Sequence, residues 1–242
     1  MLRVIDRPSP NFNDRAAGQR IDILLLHYTG MNSAEAALAR MCDAAARVSA
    51  HYCIGEDGTC TRLVDEAKRA WHAGVSAWAG EADINSRSIG IELVNPGHEF
   101  GYRPFPEAQM ACLIALCREI LHRYPIPAAR ILGHSDVAPL RKQDPGELFD
   151  WARLAAAGIG LWPGTPAPTA VAPMAEVQAM LRRYGYEVPQ TGVWDTQTQA
   201  VLVAFQRHFR PQDLSGTLDG ETAARLHALI RLVDADPAGP YV

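Results

Sequence analysis

A proline-rich segment over residues 163–173 strongly limits how this chain can fold. It contains four prolines and few side chains that a core could bury. Such a segment favours an extended, polyproline-like linker over a helix or a strand. The sequence therefore predicts two domains, at 1–162 and 174–242. A length of 242 residues suits one medium-sized and one small domain.

The first predicted domain alternates strand patterns with helix patterns. Apolar runs predict strands at 21–28, 49–54, 60–64, 88–94 and 130–133. Apolar residues at helical spacing predict helices at 33–46, 106–124 and 147–157. Asn32 and Ser33 are the candidate caps of the first helix. This alternation indicates an α/β domain in which helices flank a mixed central sheet.

The second predicted domain contains three helix patterns, at 174–184, 195–209 and 220–233. About 60 residues in three helices can bury a small core of their own. The expected core residues are Val177, Leu181, Val201, Phe205, Leu218 and Leu226. The chain is therefore expected to end in a small three-helix domain.

Composition excludes several classes of partner. The net charge of -4 gives no electrostatic basis for binding nucleic acid. No apolar run approaches the roughly 20 residues of a membrane helix, so no transmembrane segment is expected. The first residues lack the apolar stretch of a signal peptide, which predicts a cytoplasmic location. A periplasmic or cell-envelope location is the alternative.

The five cysteines show no metal-finger spacing. Cys53 and Cys60 flank a predicted turn and could face each other across the hairpin. Cys112 and Cys117 lie in an apolar helix pattern, where buried thiols are expected. Free thiols in a reducing compartment are favoured over a disulfide.

Three polar residues stand at the ends of apolar stretches and together suggest a metal site. His27 ends the first strand pattern, His134 follows Gly133 at the end of another, and Asp144 lies in a polar loop. Taken singly, a histidine at a strand end is usually structural, and an aspartate before proline usually forms a turn. Together, two imidazoles and one carboxylate suit zinc and leave a fourth position for water. Ser135 and Asp136, which follow His134, offer acceptors that could support such a ligand.

Glu92 is a carboxylate inside the apolar strand pattern at 88–94. A carboxylate in such surroundings must be paired, must lie at a cleft or must serve a function. A protease of the HExxH type is disfavoured, because the chain contains no such motif.

Ordered motifs in the first predicted domain carry a family resemblance. The segments are LLLHYTG, VSAHYCIGEDG, AWHAG, NSRSIGIELVNPG, ILGHSDVAPLRKQDPG and FDW. In that order they resemble the zinc-dependent N-acetylmuramoyl-L-alanine amidases of the type 2 amidase family. That family also includes phage lysozymes of the amidase type and the peptidoglycan recognition proteins.

The resemblance implies roles for individual residues. His27, His134 and Asp144 match the zinc ligands, Glu92 the catalytic glutamate and Lys142 the catalytic lysine. The alternative for Lys142 is a solvated surface lysine. His72 and Asn85 belong to motifs that border the substrate cleft of the family, which makes them candidate substrate contacts. Ala50 stands where the phage branch has a catalytic tyrosine, so Glu92 and Lys142 would carry the reaction.

The C-terminal part resembles a three-helix peptidoglycan-binding domain. The resemblance rests on AEVQAMLRRYGY, GVWDTQTQAVLVAFQ and GTLDGETAARL. Asp195 and Asp219 begin helices, so much of this pattern encodes fold rather than binding. Peptidoglycan binding is implied by the resemblance alone.

The expected function is hydrolysis of the amide between the lactyl group of N-acetylmuramic acid and L-alanine. The substrate would be intact peptidoglycan or the anhydro-muropeptides of cell wall recycling. The lack of a signal peptide favours the recycling fragments, and the appended domain favours the intact wall. A peptidoglycan recognition protein that binds without cutting is the alternative from another class. A zinc amide hydrolase with a non-wall substrate is a third possibility, against which the appended domain argues.

Overall fold

The computed structural model describes residues 2–235, so the outer ends of both predicted domains, residue 1 and 236–242, lie outside the described residues. The described chain forms two compact units with interleaved sequence. The first comprises residues up to Gly74 together with Asp83–Ile126, and the second comprises Val75–Ala82 together with residues from Pro127 onward. Within 2–235, no helix combines the length and the apolar character needed to cross a bilayer.

The secondary structure follows the predicted alternation and adds several short elements. The strands are β1 Val4–Asp6, β2 Phe12–Asp14, β3 Ile23–Tyr28, β4 Tyr52–Ile54, β5 Cys60–Arg62, β6 Lys68–Ala70, β7 Ala77–Trp78, β8 Glu81–Ala82, β9 Ser88–Leu93 and β10 Ile131–Gly133. The α-helices are α1 Ala34–Cys42, α2 Ile84–Arg87, α3 Gly97–Phe100, α4 Glu107–Arg123, α5 His134–Val137, α6 Trp151–Ala156, α7 Met174–Tyr184, α8 Thr196–Phe209 and α9 Gly220–Ala235.

The central sheet is mixed, as predicted. In the first unit its strands follow the order β1-β5-β4-β9-β3. β5 runs parallel to β1 and antiparallel to β4, whereas β9 runs parallel to both β4 and β3. The carboxyl ends of β3, β4 and β9 therefore lie at one edge of the sheet, where polar side chains can gather beside an apolar core.

Helix α1 ends earlier than the predicted limit of residue 46. The Ser33 hydroxyl caps its start by accepting from the Ala36 N–H at 3.2 Å. At Asp43 the backbone turns to an extended conformation, and its carboxylate accepts from the Ala45 N–H at 2.9 Å. This local cap starts a separate 3₁₀ turn at Ala44–Ala46. The prediction of one helix over 33–46 was therefore wrong at its end.

Helix α4 has nearly the predicted limits and joins the sheet through a buried amide. Gln109 is fully buried, and its Nε2 donates to the carbonyls of Ile54 at 2.9 Å and Val94 at 3.0 Å. Ile54 is the last residue of β4, and Val94 directly follows β9. The Ile54 carbonyl also accepts from the Val94 N–H at 2.9 Å. Gln109 thus ties α4 to the ends of both strands.

The second unit contains the helix pattern predicted at 147–157, but α6 begins at Trp151. The Asp150 carboxylate accepts from the Arg153 N–H at 2.9 Å and sets this later start. Gly158 adopts a positive φ of 81° and ends the helix, as predicted.

The three C-terminal helices match their predicted limits within two residues. Asp195 caps α8 by accepting from the Thr198 N–H at 2.7 Å, and Asp219 accepts from the Thr222 N–H at 2.9 Å at the start of α9. The expected core residues Val177, Leu181, Val201, Phe205 and Leu226 are buried. Leu218 is only half-buried, so its assignment to the core was wrong.

All five cysteines are free thiols, as predicted. In the hairpin register Cys53 lies opposite Thr61, and Cys60 lies opposite Ile54. Cys53 and Cys60 therefore point to opposite faces of the sheet, because side chains alternate along a strand. A disulfide between them would require a shifted register.

Candidate metal centre and catalytic site

His27 and Glu92 occupy neighbouring positions on one face of the sheet. The register pairs His27 with Glu92, and Glu92 in turn with Cys53, near the carboxyl ends of three adjacent strands. Residues paired in this way present their side chains to the same face. His27 is buried, whereas Glu92 is half-buried and lines a cavity of about 60 Å³. Burial and the nearby Glu92 carboxylate raise the pKa of the Cys53 thiol.

His134 begins the short helix α5 directly after β10. Gly133, which precedes it, packs too closely for any side chain. A Cβ there would lie 2.8 Å from the Pro145 Cδ and 3.3 Å from the Trp151 ring. Packing therefore requires a glycine before the predicted ligand.

Asp144 lies against His134 in the second unit. Its Oδ2 is 3.0 Å from His134 Nδ1, and its backbone carbonyl accepts from the Ser135 N–H at 2.9 Å. Two ligand atoms bound tetrahedrally to one zinc ion lie about 3.3 Å apart. The imidazole and the carboxylate are therefore spaced nearly as two ligands of one ion would be.

The three residues predicted as metal ligands form one group that could hold a metal ion. One donor atom from each of His27, His134 and Asp144 lies within 4.8 Å of the others, and all three residues are buried. Two nitrogen donors and one carboxylate oxygen are a donor set that zinc prefers.

Lys142 is half-buried, and its backbone N–H donates to the Ala138 carbonyl at 2.9 Å. It lines a groove of about 420 Å³. The groove is lined also by Leu140, Gln143, Thr196, Gln199, Val203 and Arg207. Lys142 is therefore accessible from a groove that also involves helix α8.

His72 and Asn85 contact each other rather than standing apart along a cleft. The Asn85 side-chain oxygen accepts from the N–H groups of His72 at 3.0 Å and Ala73 at 2.8 Å. His72 Nδ1 lies 3.1 Å from His27 Nε2, and its Nε2 lies 3.3 Å from the Ser88 hydroxyl. Asn85 thus holds the segment that carries His72. Substrate contact by either residue stays a prediction.

The contact between His72 and His27 was not predicted from the sequence, although Gly90 is a sign of it. A Cβ at Gly90 would lie 2.5 Å from the His72 ring, so only glycine fits there. A glycine inside a strand often signals such a close approach.

His51 has a structural role. It is fully buried, its Nδ1 accepts from the Gly90 N–H at 2.9 Å, and its Nε2 lies 3.1 Å from the Lys68 carbonyl. Burial, with a smaller effect of Arg15, lowers its pKa to about 3. His51 is therefore neutral near pH 7 and braces the strand beside His72.

A helix-flanked sheet carrying a buried His–His–Asp group is typical of metal-dependent hydrolases. The family model described as N-acetylmuramoyl-L-alanine amidase matches residues 17–147, and one for a peptidoglycan-binding domain matches residues 172–226. The chain therefore belongs to the N-acetylmuramoyl-L-alanine amidase family.

Relatives of the chain include N-acetylmuramoyl-L-alanine amidase AmiD of Escherichia coli. It is 37% identical over 243 aligned residues, which cover 92% of this chain and 87% of AmiD. The 1,6-anhydro-N-acetylmuramyl-L-alanine amidase AmpD of Haemophilus influenzae is 36% identical over 60% of this chain and 86% of its own length.

Solved structures extend the similarity to both parts of the chain. AmiD in complex with anhydro-N-acetylmuramic acid-L-Ala-D-gamma-Glu-L-Lys matches with a TM-score of 0.79 and 34% identity, over 93% of this chain and 99% of that one. AmpDh3 of Pseudomonas aeruginosa matches with a TM-score of 0.79 and 35% identity, over 95% and 99% respectively.

Proposed function

We propose that this chain is a zinc-dependent amidase that cleaves the bond between the lactyl group of N-acetylmuramic acid and L-alanine in peptidoglycan or its fragments. The group formed by His27, His134 and Asp144 carries the proposal. Family membership and the two solved relatives that hold anhydromuramyl peptides, AmiD and AmpDh3, support the choice of substrate.

The donor chemistry of this group fits zinc, with His27, His134 and Asp144 as the proposed ligands. When bound, zinc lowers the pKa of coordinated water towards about 7 and polarises a carbonyl. Glu92, which shares a sheet face with His27, accepts the proton of the attacking water and passes it to the departing nitrogen. The ammonium group of Lys142 stabilises the negative charge that develops on the carbonyl oxygen.

The same residues favour catalysis over recognition without cleavage. A protein that only binds muropeptides needs neither three metal ligands nor a carboxylate beside them. All three positions carry ligand side chains here, and Glu92 is present.

We also propose the domain limits predicted from the sequence, a catalytic domain at 1–162 and a peptidoglycan-binding domain at 174–242. The family matches at 17–147 and 172–226 support this division. The cytoplasmic location stays a prediction, as does its cell-envelope alternative.

The direct test supplies the zinc-loaded protein with purified sacculi and, separately, with anhydro-muropeptides. We expect free stem peptides that begin with L-alanine, identified by mass spectrometry. Faster release from sacculi would assign the enzyme to the intact wall, and faster release from the small fragments would assign it to recycling. If neither substrate yields stem peptide, the proposed activity is wrong.

We further propose that His72 determines which nitrogen of His27 faces the metal. The Ser88 hydroxyl donates to the Ile84 carbonyl at 2.6 Å, so it accepts from His72 Nε2–H. His72 Nδ1 is then an acceptor for the Nε2–H of His27 at 3.1 Å. In this tautomer the lone pair of His27 lies on Nδ1, ready for a metal.

Replacing His72 with alanine is expected to weaken zinc affinity by about 10- to 100-fold. Losing a residue that hydrogen-bonds to a metal ligand typically has an effect of this size. Competition with a chromophoric chelator measures this. His72→Asn keeps an acceptor near the same place and is expected to retain more affinity. His122→Ala, which removes an exposed histidine near the end of α4, is the control. A zinc affinity of His72→Ala equal to that of the parent would contradict the proposed role of His72.

A further inference from the structure

Asp136 is a buried carboxylate that the proposed reaction does not use. Its side chain has no exposed surface. It accepts hydrogen bonds from the Tyr186 hydroxyl at 2.6 Å, His208 Nδ1 at 2.8 Å and the Gly133 N–H at 2.7 Å. A buried carboxylate is tolerated only when donors such as these replace water.

Two of the three donors come from the predicted C-terminal domain at 174–242. Tyr186 follows α7, and His208 lies in the last turn of α8. Both side chains are buried. The His208 ring stacks on Trp151 with centroids 3.7 Å apart, and Tyr186 packs edge-on against Trp78 at 5.0 Å. The donors are therefore held rigidly by aromatic neighbours.

Tyr186 is able to act only as a donor to this carboxylate. Burial and the Asp136 charge raise the pKa of its phenol far above the usual value. The hydroxyl therefore keeps its proton near pH 7 and aims it at Asp136 Oδ1. Since the bond is charge-assisted, it is stronger than a bond between neutral groups.

Asp136 in turn fixes the turn that presents His134. It lies two residues after His134 in the four-residue helix α5, and its Oδ2 receives the N–H of Gly133 just before that ligand. This hydrogen bond ties Gly133, just before His134, to Asp136, two residues after it. The geometry leaves little freedom for the backbone at His134.

We propose that Tyr186 and His208 are positioning residues for the metal site, acting through Asp136 on the turn that carries His134. The C-terminal segment is then part of the catalytic apparatus as well as a candidate wall-binding module. This inference rests on the proposed role of His134 as a zinc ligand.

The test uses the full chain and four substitutions. Tyr186→Phe and His208→Phe each remove a donor to Asp136 while keeping an aromatic ring in place. His208→Asn restores a donor near the position of Nδ1. Tyr184→Phe removes a hydroxyl from the same aromatic cluster but no donor to Asp136. In the described structure Tyr184 contacts Trp78 and Tyr186 through its ring.

Two readouts report on the metal site itself: zinc affinity by chelator competition and the visible absorption of the cobalt(II) form. We expect about tenfold weaker zinc binding in Tyr186→Phe and in His208→Phe, with a changed cobalt spectrum. Partial recovery is expected in His208→Asn, and parental behaviour in Tyr184→Phe. A role limited to packing would lower the melting temperature without changing the cobalt spectrum.

The outcomes separate this inference from the proposed function. Parental zinc affinity and cobalt spectrum in a folded Tyr186→Phe protein would overturn the positioning role. His208→Phe gives an independent answer if Tyr186→Phe fails to fold, and weaker binding in Tyr184→Phe as well would also count against it. If the parent protein binds no zinc, or if His134→Ala binds it as well as the parent, the proposed metal site itself is wrong.

Discussion

Replacing Glu92 with glutamine is expected to lower kcat at least about 100-fold while zinc remains bound. The substitution keeps the shape of the side chain but removes the base that accepts and returns the proton, a contribution of roughly 10²- to 10⁴-fold in enzymes. Glu92 is paired in register with His27 yet is not among the three grouped metal ligands, so metal binding should survive. Steady-state kinetics on an anhydro-muropeptide, with zinc content by atomic spectroscopy, measures both.

A matched control is Glu99→Gln, since Glu99 is an exposed glutamate in α3. It is expected to keep parental kcat. Glu92→Ala should behave like Glu92→Gln, because both lack the carboxylate. Turnover above a tenth of the parental rate in either Glu92 variant would remove Glu92 as the general base.

Replacing His134 with alanine is expected to abolish both zinc binding and hydrolysis. The residue supplies one of three protein donors, and its loss leaves His27 and Asp144 as the remaining pair of the group. Treating the parent with a strong chelator should have the same effect, and added zinc should restore the parent but not the variant.

Thermal unfolding provides a readout that does not depend on catalysis. Zinc at about 100 times its Kd stabilises a binding-competent protein by about 2.7 kcal/mol, which raises Tm by several degrees. We expect this rise in the parent and in His122→Ala, and none in His134→Ala. A full zinc-dependent rise in His134→Ala would show that the metal binds elsewhere.

The sequence predicted the strands that carry the site because burial leaves a clear pattern. The runs ending at His27 and His134, and the strand around Glu92, are continuous apolar segments of the kind that a covered parallel strand requires. Polar residues at the carboxyl ends of such strands are expected to lie together at one edge of the sheet, because the strand itself is buried. The end of α1 was missed, because a single cap at Asp43 outweighed the local helix pattern.

Long-range hydrogen bonds in the site were not predictable in the same way. The contact of His72 with His27 joins residues 45 apart, and that of His208 with Asp136 joins residues 72 apart. Neither pair shares a periodic pattern or a motif spacing. For the first pair, Gly90 inside its strand indicates locally that a ring, that of His72, packs against it.

The sequence by itself determined the type of fold, the grouped ligand residues and the two family resemblances, since each depends on local patterning or ordered motifs. Only the tertiary structure decided how those ligands are supported. The partners of Asp136 come from residues far along the chain. The second compact unit joins residues from Pro127 onward with the C-terminal helices. The physical reason is that hydrogen bonds between distant segments form only after the chain has folded, whereas hydrophobic periodicity is present in the chain itself.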